Sequence, residues 1–210
     1  MIQLAIFDLD GTLVDTTADI ATAGNAARQA LGLAVLPVAE VASCVGEGLH
    51  RLIELLTPGV DAPARVRAVG AFQAAYADCC TAQTHAYPGV VEALDGLLHH
   101  GWTLAVATNK PLAFSLRILD HLGLTARFRA VRGGDTVKKP DPGQLRSIAT
   151  ELGGDLSRAW MIGDHHTDLL AGRAAGCRTV HCTWGIGHAN GHQATAVVDH
   201  PRDWLRVVRA

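Results

Sequence analysis

Short apolar runs alternate with stretches of helical periodicity along most of the chain. Runs at residues 4–7, 104–107, 159–162 and 178–181 have the length and flanks of buried strands, and helical patterns lie between most of them. This alternation predicts an α/β protein with a parallel sheet. Two shorter runs, 130–132 and Val197 with Val198 ahead of Asp199, are candidate strands that periodicity alone does not settle.

Between residues 15 and 86 the pattern changes. Segments 17–31, 38–44, 49–56 and 64–81 all have helical periodicity, and none alternates as a strand does. The expectation is a Rossmann-like core built from residues 1–14 and 87–210, with residues 15–86 inserted as an all-helical cap. Thr16 or Thr17 is placed to cap the first helix, and Gly32 to end it. Pro88 and Gly89 mark the return to the core, where a helix runs to about His100 and Gly101. A block of this size suits a lid over a site better than a separate enzyme.

The chain has 210 residues, 49% of them hydrophobic, and a formal net charge of −2, enough apolar material for a full core and no basic face. Nucleic acid and anionic membranes are therefore not expected partners. The five cysteines, Cys44, Cys79, Cys80, Cys177 and Cys182, are odd in number and lack metal-type spacing, which predicts reduced thiols. Residues 1–8 show no basic region followed by a long apolar stretch, and no run approaches the ~20 apolar residues of a membrane span. The expected location is the cytoplasm.

Candidate chemistry gathers where the strand candidates end. The first delivers Asp8-Leu9-Asp10-Gly11-Thr12, two carboxylates at the place where open α/β sheets bind ligands. Gly11 permits a tight turn that lets peptide N–H groups near residues 9–11 face an anion. The second strand delivers Thr108-Asn109-Lys110 before Pro111, suited either to phosphate oxygens or to helix capping. Lys139 lies in a turn-rich loop, 133–142. The third long strand ends in Gly163-Asp164-His165-His166-Thr167-Asp168.

In a parallel sheet these strand ends bring Asp8, Asp10, Thr108, Asp164 and the nearby Lys139 to one edge. Several carboxylates in one pocket raise one another's pKa unless a cation joins them. All-oxygen donors and an expected phosphate point to Mg²⁺. With its charge screened, Asp8 can attack phosphorus and form an aspartyl-phosphate.

These four motifs, in this order and through the whole chain, resemble the haloacid dehalogenase-like phosphatase superfamily. Within it, Asp8 to Thr16, Thr108 to Pro111, Gly133-Gly134-Asp135 and Lys139 to Pro142 look most like bacterial phosphoglycolate phosphatases. The resemblance implies that Asp8 is nucleophile and metal ligand. Asp10 would act as acid and then base, with its carbonyl on the metal, and Asp164 would bind the metal directly. Asp168 would orient the site or its metal-bound water. Asp8, Leu9, Asp10, Thr108, Asn109 and Lys139 would form the phosphate site. An acid two residues after the nucleophile also favours ester hydrolysis over dehalogenation.

Substrate choice falls to the cap. Cys44 to Gly48 resembles the family's specificity loop, so Gly46, Gly48, His50 and Arg51 are candidate substrate contacts. The expected partner is a small phosphorylated metabolite, phosphoglycolate or one like it. A sugar phosphate or nucleotide, a phosphomutase reaction and a non-catalytic binding role are the alternatives. Two features depart from the pattern. His165 stands where serine is usual and is followed by His166. His188 and His192 have the i, i+4 spacing of helical metal ligands, but Gly185, Gly187 and Gly191 argue against a helix there.

Overall fold

Leu4 to Phe7 are completely buried and form β1 (Gln3–Phe7), the central strand of the molecule, whose computed structural model describes residues 2–209. The chain then turns through Gly11 into a two-residue strand, β2 (Val14–Asp15). Four helices follow: α1 (Thr17–Gln29), α2 (Val38–Ala42), α3 (Leu49–Leu56) and α4 (Ala62–Cys79). The return is β3 (His85–Ala86). The remainder alternates as α5 (Val90–His99), β4 (Trp102–Ala107), α6 (Leu112–His121), β5 (Ala130–Arg132), α7 (Gly143–Leu152), β6 (Trp160–Gly163) and α8 (His166–Ala175). It ends with β7 (Arg178–Cys182), β8 (Ala196–Val198) and α9 (Trp204–Val208).

The six-stranded sheet has the order β5-β4-β1-β6-β7-β8, and every neighbouring pair is parallel. From β1 the chain builds outward to β4 and β5, then crosses to the other side for β6, β7 and β8. The direction of winding therefore reverses at β1, and the crevice at the carboxyl ends of β4, β1 and β6 is the natural ligand site. Both faces of the sheet are covered. Ala5 and Phe7 pack on one side with Leu94, Leu104 and Trp204, while Leu4 and Ile6 pack on the other with Leu145, Ile148 and Met161.

The helical block has its own core, built from Ile20, Ala23, Val41, Ile53, Phe72 and Tyr76, and Phe114 of α6 packs against it. Phe114 thus joins this block to the sheet domain. Within residues 15–86 the expectation of helices alone needs one correction, because β2 and β3 pair antiparallel, Val14 with Ala86 and Asp15 with His85. Two-residue strands are too short to show alternation. They tie together the outgoing and returning chains where helical block meets sheet. Gly32 does adopt a positive φ of 71°, but in the turn after α1 rather than at its end.

Candidate active site

Asp8 follows the last residue of β1, with its backbone N–H still held by Ile162 O of β6 at 2.9 Å. One of its carboxylate oxygens accepts the Leu9 N–H at 2.7 Å. Asp164 follows β6 and faces Asp8 across the crevice, accepting from Thr12 Oγ1 at 2.8 Å and from Gly187 N at 2.7 Å. Gly11, at φ 79°, is required here: a Cβ at that position would collide with the Asp164 carboxylate. Asp168, in the first turn of α8, completes a buried trio whose oxygens all lie within 4.8 Å of one another.

Lys139 enters this trio from the loop after β5. Its fully buried ammonium lies 2.8 Å from Asp8 Oδ1 and 2.6 Å from Asp168 Oδ1. The loop is anchored from two sides. Asn109 Oδ1 accepts Lys139 N–H at 2.8 Å, and Asn109 Nδ2 donates to Lys139 O and to Gly46 O of the helical block, both at 3.0 Å. Gln144 Nε2 donates to Thr108 O, Gly133 O and Val137 O. The Asn109 side chain is thus spent on the backbone of the lysine loop and of the helical block. Thr108 is buried at the end of β4 and lines the cleft beside Asp8.

One ammonium among three carboxylates leaves the cluster short of positive charge. Burial, and then the charge of Asp168, raises Asp8 to about 6 in spite of Lys139. Burial, with Asp8 and Asp168 adding to it, raises Asp164 to about 8. Burial opposes the charge on Lys139, but Asp168 and Asp8 outweigh it and hold the ammonium above its usual range. Hard oxygen donors with this surplus of negative charge suit a divalent cation.

Asp10 lies outside the trio. It accepts Thr16 Oγ1 at 2.7 Å and Lys110 Nζ at 2.9 Å, so the hydroxyl that occupies the α1 cap position serves the acid instead of the helix. Lys110 also sits over the Tyr76 ring, 4.9 Å from its centroid. Neither Lys110 nor Tyr76 was assigned a role from sequence. Their partners are distant in the chain, and the only local sign was the i, i+4 pairing of Phe72 and Tyr76 on a helix. Gly187 was likewise read only as a helix breaker, although closely spaced glycines after a strand also signal close backbone approach.

His165 does what a serine oxygen does at a helix start. Its Nδ1 accepts Thr167 N–H at 3.3 Å and meets Thr167 Oγ1 at 2.9 Å, while Asp168 Oδ2 accepts His165 N–H at 3.0 Å. This is a reciprocal capping box on α8. Burial pushes the imidazole down to about 4, so it is neutral at pH 7 and Nδ1 is free to accept. His188 and His192 lie in a loop, and the acidic trio is the only metal-type cluster among the described residues.

Over these groups lies a cleft, partly open to solvent, between the sheet edge and the helical block. Gly46 and Gly48 line it, and a Cβ on Gly46 would come within 2.6 Å of the His165 ring. His50 and Arg51 do not line it. Both are exposed, and Arg51 pairs with Glu54 at 2.8 Å, so the first turn of α3 points these side chains to solvent. The remaining wall is largely apolar, with Ile20, Leu49, Leu52, Phe72 and Phe114 prominent.

A doubly covered parallel sheet with clustered acids at its switch point, roofed by helices, defines an α/β protein with an acidic ligand site, and comparison with known proteins narrows it. The model of the haloacid dehalogenase-like hydrolase family matches residues 5–182, and the chain belongs to that family. It is a phosphatase of the phosphoglycolate phosphatase-like group. It is 37% identical over 193 residues to the phosphoglycolate phosphatase of Agrobacterium fabrum, covering 87% of this chain and 81% of that one. Identity to the Vibrio parahaemolyticus phosphoglycolate phosphatase is 36% over 219 residues, covering 99% and 96%. A crystal structure from Haemophilus somnus, described as a predicted phosphoglycolate phosphatase, superposes with a TM-score of 0.91 at 27% identity, covering 98% and 97%.

Proposed function

We propose that the chain hydrolyses a small phosphate monoester through an aspartyl-phosphate on Asp8. The observation that carries this reading is the setting of Asp8: buried at the switch point, paired with Lys139 and facing Asp164 and Asp168. An Asp8 oxygen attacks phosphorus as the bond to the leaving alcohol breaks, and Asp10 gives that alcohol its proton. Asp10 then takes a proton from water, which attacks phosphorus and releases Asp8. Thr108 and Lys139 hold the phosphoryl oxygens, and Asn109 contributes by fixing the lysine loop.

Asp8, the Asp10 carbonyl and Asp164 are the groups to hold Mg²⁺, with Asp168 orienting the site; the ion, when bound, offsets the charge of the acids and of the phosphate. Residues 15–86 serve as the cap that excludes bulk water. Phosphoglycolate is the first substrate to test, because the named relatives act on it, and sugar phosphates come second. A cytoplasmic location suits five free thiols. No helix among the described residues is long and apolar enough to cross a membrane.

Assay of phosphate release with Mg²⁺, and with EDTA, compares wild type with Asp8→Asn. The expected result is metal-dependent turnover that falls about a thousandfold or more in the variant. Wild-type turnover by Asp8→Asn, free of contaminating phosphatase, would remove Asp8 from the chemistry.

A further inference from the structure

Away from the acid cluster and the residues beside it, the wall of the cleft that roofs Asp8 is largely apolar, and the exceptions lie next to Asp10. Lys110 is the only lysine or arginine lining it among the described residues. Its side chain is 5% exposed and donates to Asp10 Oδ2, and an ammonium with three protons has capacity left for a ligand. Beside it, Tyr76 lines the same cleft, is 1% exposed, and has a buried hydroxyl next to the Lys110 ammonium with no acceptor for its proton. Buried hydroxyls are nearly always paired, so an orphan at the wall of a ligand cleft marks the place of a ligand atom.

The ring is held to one orientation. Phe72 stacks on it at 5.3 Å between centroids, and Phe114 meets it edge-on at 4.9 Å. The phenol lies within electrostatic reach of both Lys110 and Asp10, and burial keeps it protonated and therefore a donor. Two donors, one of them cationic, face a wall otherwise made largely of apolar side chains such as Ile20, Leu49 and Leu52.

We propose that Tyr76 and Lys110 form the subsite that selects the leaving group, and that it takes a carboxylate on the carbon next to the ester oxygen. This inference rests on the phosphatase reading above. A carboxylate accepts from both donors at once and matches the ammonium charge in a setting where little water competes. The placement follows from Asp10: its carboxylate must reach the ester oxygen, and Lys110 Nζ is 2.9 Å from that carboxylate. A ligand group that shares Lys110 with Asp10 is therefore held near the ester oxygen, within reach of a substituent on its first carbon. A sugar phosphate would instead bury several hydroxyls against the apolar wall without partners.

Steady-state kinetics on phosphoglycolate, ethyl phosphate and glucose 6-phosphate test this with wild type, Tyr76→Phe and Lys110→Met. The readout is the ratio of kcat/KM for phosphoglycolate to that for ethyl phosphate, in which any unfolded fraction cancels. The wild-type ratio is expected to be about a hundred or more, with glucose 6-phosphate a poor substrate. Tyr76→Phe should cut the ratio about tenfold, chiefly through KM, and Lys110→Met should remove most of it. A wild-type ratio near one, or a ratio unmoved by both substitutions, overturns the subsite while leaving the phosphatase reading intact. Failure of wild type to hydrolyse any of the three esters, and p-nitrophenyl phosphate as well, overturns both.

Discussion

Lys139 alone cannot balance Asp8, Asp164 and Asp168, and the shortfall falls most heavily on Asp164, raised to about 8. A carboxyl whose folded pKa lies above its unfolded value contributes stability at low pH and loses it as pH rises through the folded value. Asp8 titrates this way up to about 6, but His165, lowered to about 4, acts in the opposite direction below its unfolded value of about 6.5. Between about pH 6.5 and 8 Asp164 is left to dominate. Metal-free protein should therefore lose about 2 kcal/mol across that interval. Thermal unfolding in EDTA checks this, and added Mg²⁺ should raise Tm more at pH 8 than at pH 6.5. A metal-induced shift that is the same at both values would contradict it. The gathering of Asp8, Asp10, Thr108, Asp164 and Lys139 at one sheet edge was legible in the sequence because all but Lys139 follow a recognisable strand and Lys139 sits in a turn-rich loop. The Lys110 bond to Asp10 was not, because it spans 100 positions and depends on where two strands lie in the sheet.

Among the elements, α3 shows how the cap loop is tied to the core. Gly48, which precedes this helix, has φ 89° and ψ 170°, a conformation essentially confined to glycine. A Cβ there would also lie 3.2 Å from Asn109 O and 3.3 Å from Lys138 Nζ. Gly48→Ala should cost about 1–3 kcal/mol in denaturant unfolding and lower kcat/KM about tenfold as the loop moves off the core. Unchanged kinetics would show that this loop does not need its place against Asn109. Most elements were visible in the hydrophobic pattern, since parallel strands buried on both faces read as continuous apolar runs. The β2–β3 pair was not visible, because pairing of two-residue strands is decided by the cap returning to its starting point. Likewise, the role of His165 as a helix cap depends on Nδ1 meeting Thr167, which residue type alone did not reveal.

The molecule as a whole divides its work between sheet and helices. Winding from β1 in both directions brings the ends of β4, β1 and β6 together, so residues 8, 108 and 164 meet although the chain separates them widely. The helical block supplies the roof, and its apolar wall with one phenol restricts what the sheet's chemistry can reach. Alternation of strands and helices made the core readable, whereas the lining of the cleft depends on which helices of the block face it. His50 and Arg51 were near in sequence to the specificity loop yet turn away, while Tyr76, far along α4, lines it. The central claim is covalent chemistry at Asp8, and the direct measurement is acid quenching during turnover of phosphoglycolate with Mg²⁺, borohydride reduction and peptide mapping. The account predicts reduction of the acyl phosphate at Asp8 and at no other carboxylate. Full turnover with Asp8 unmodified, or with the modification at another residue, would contradict it.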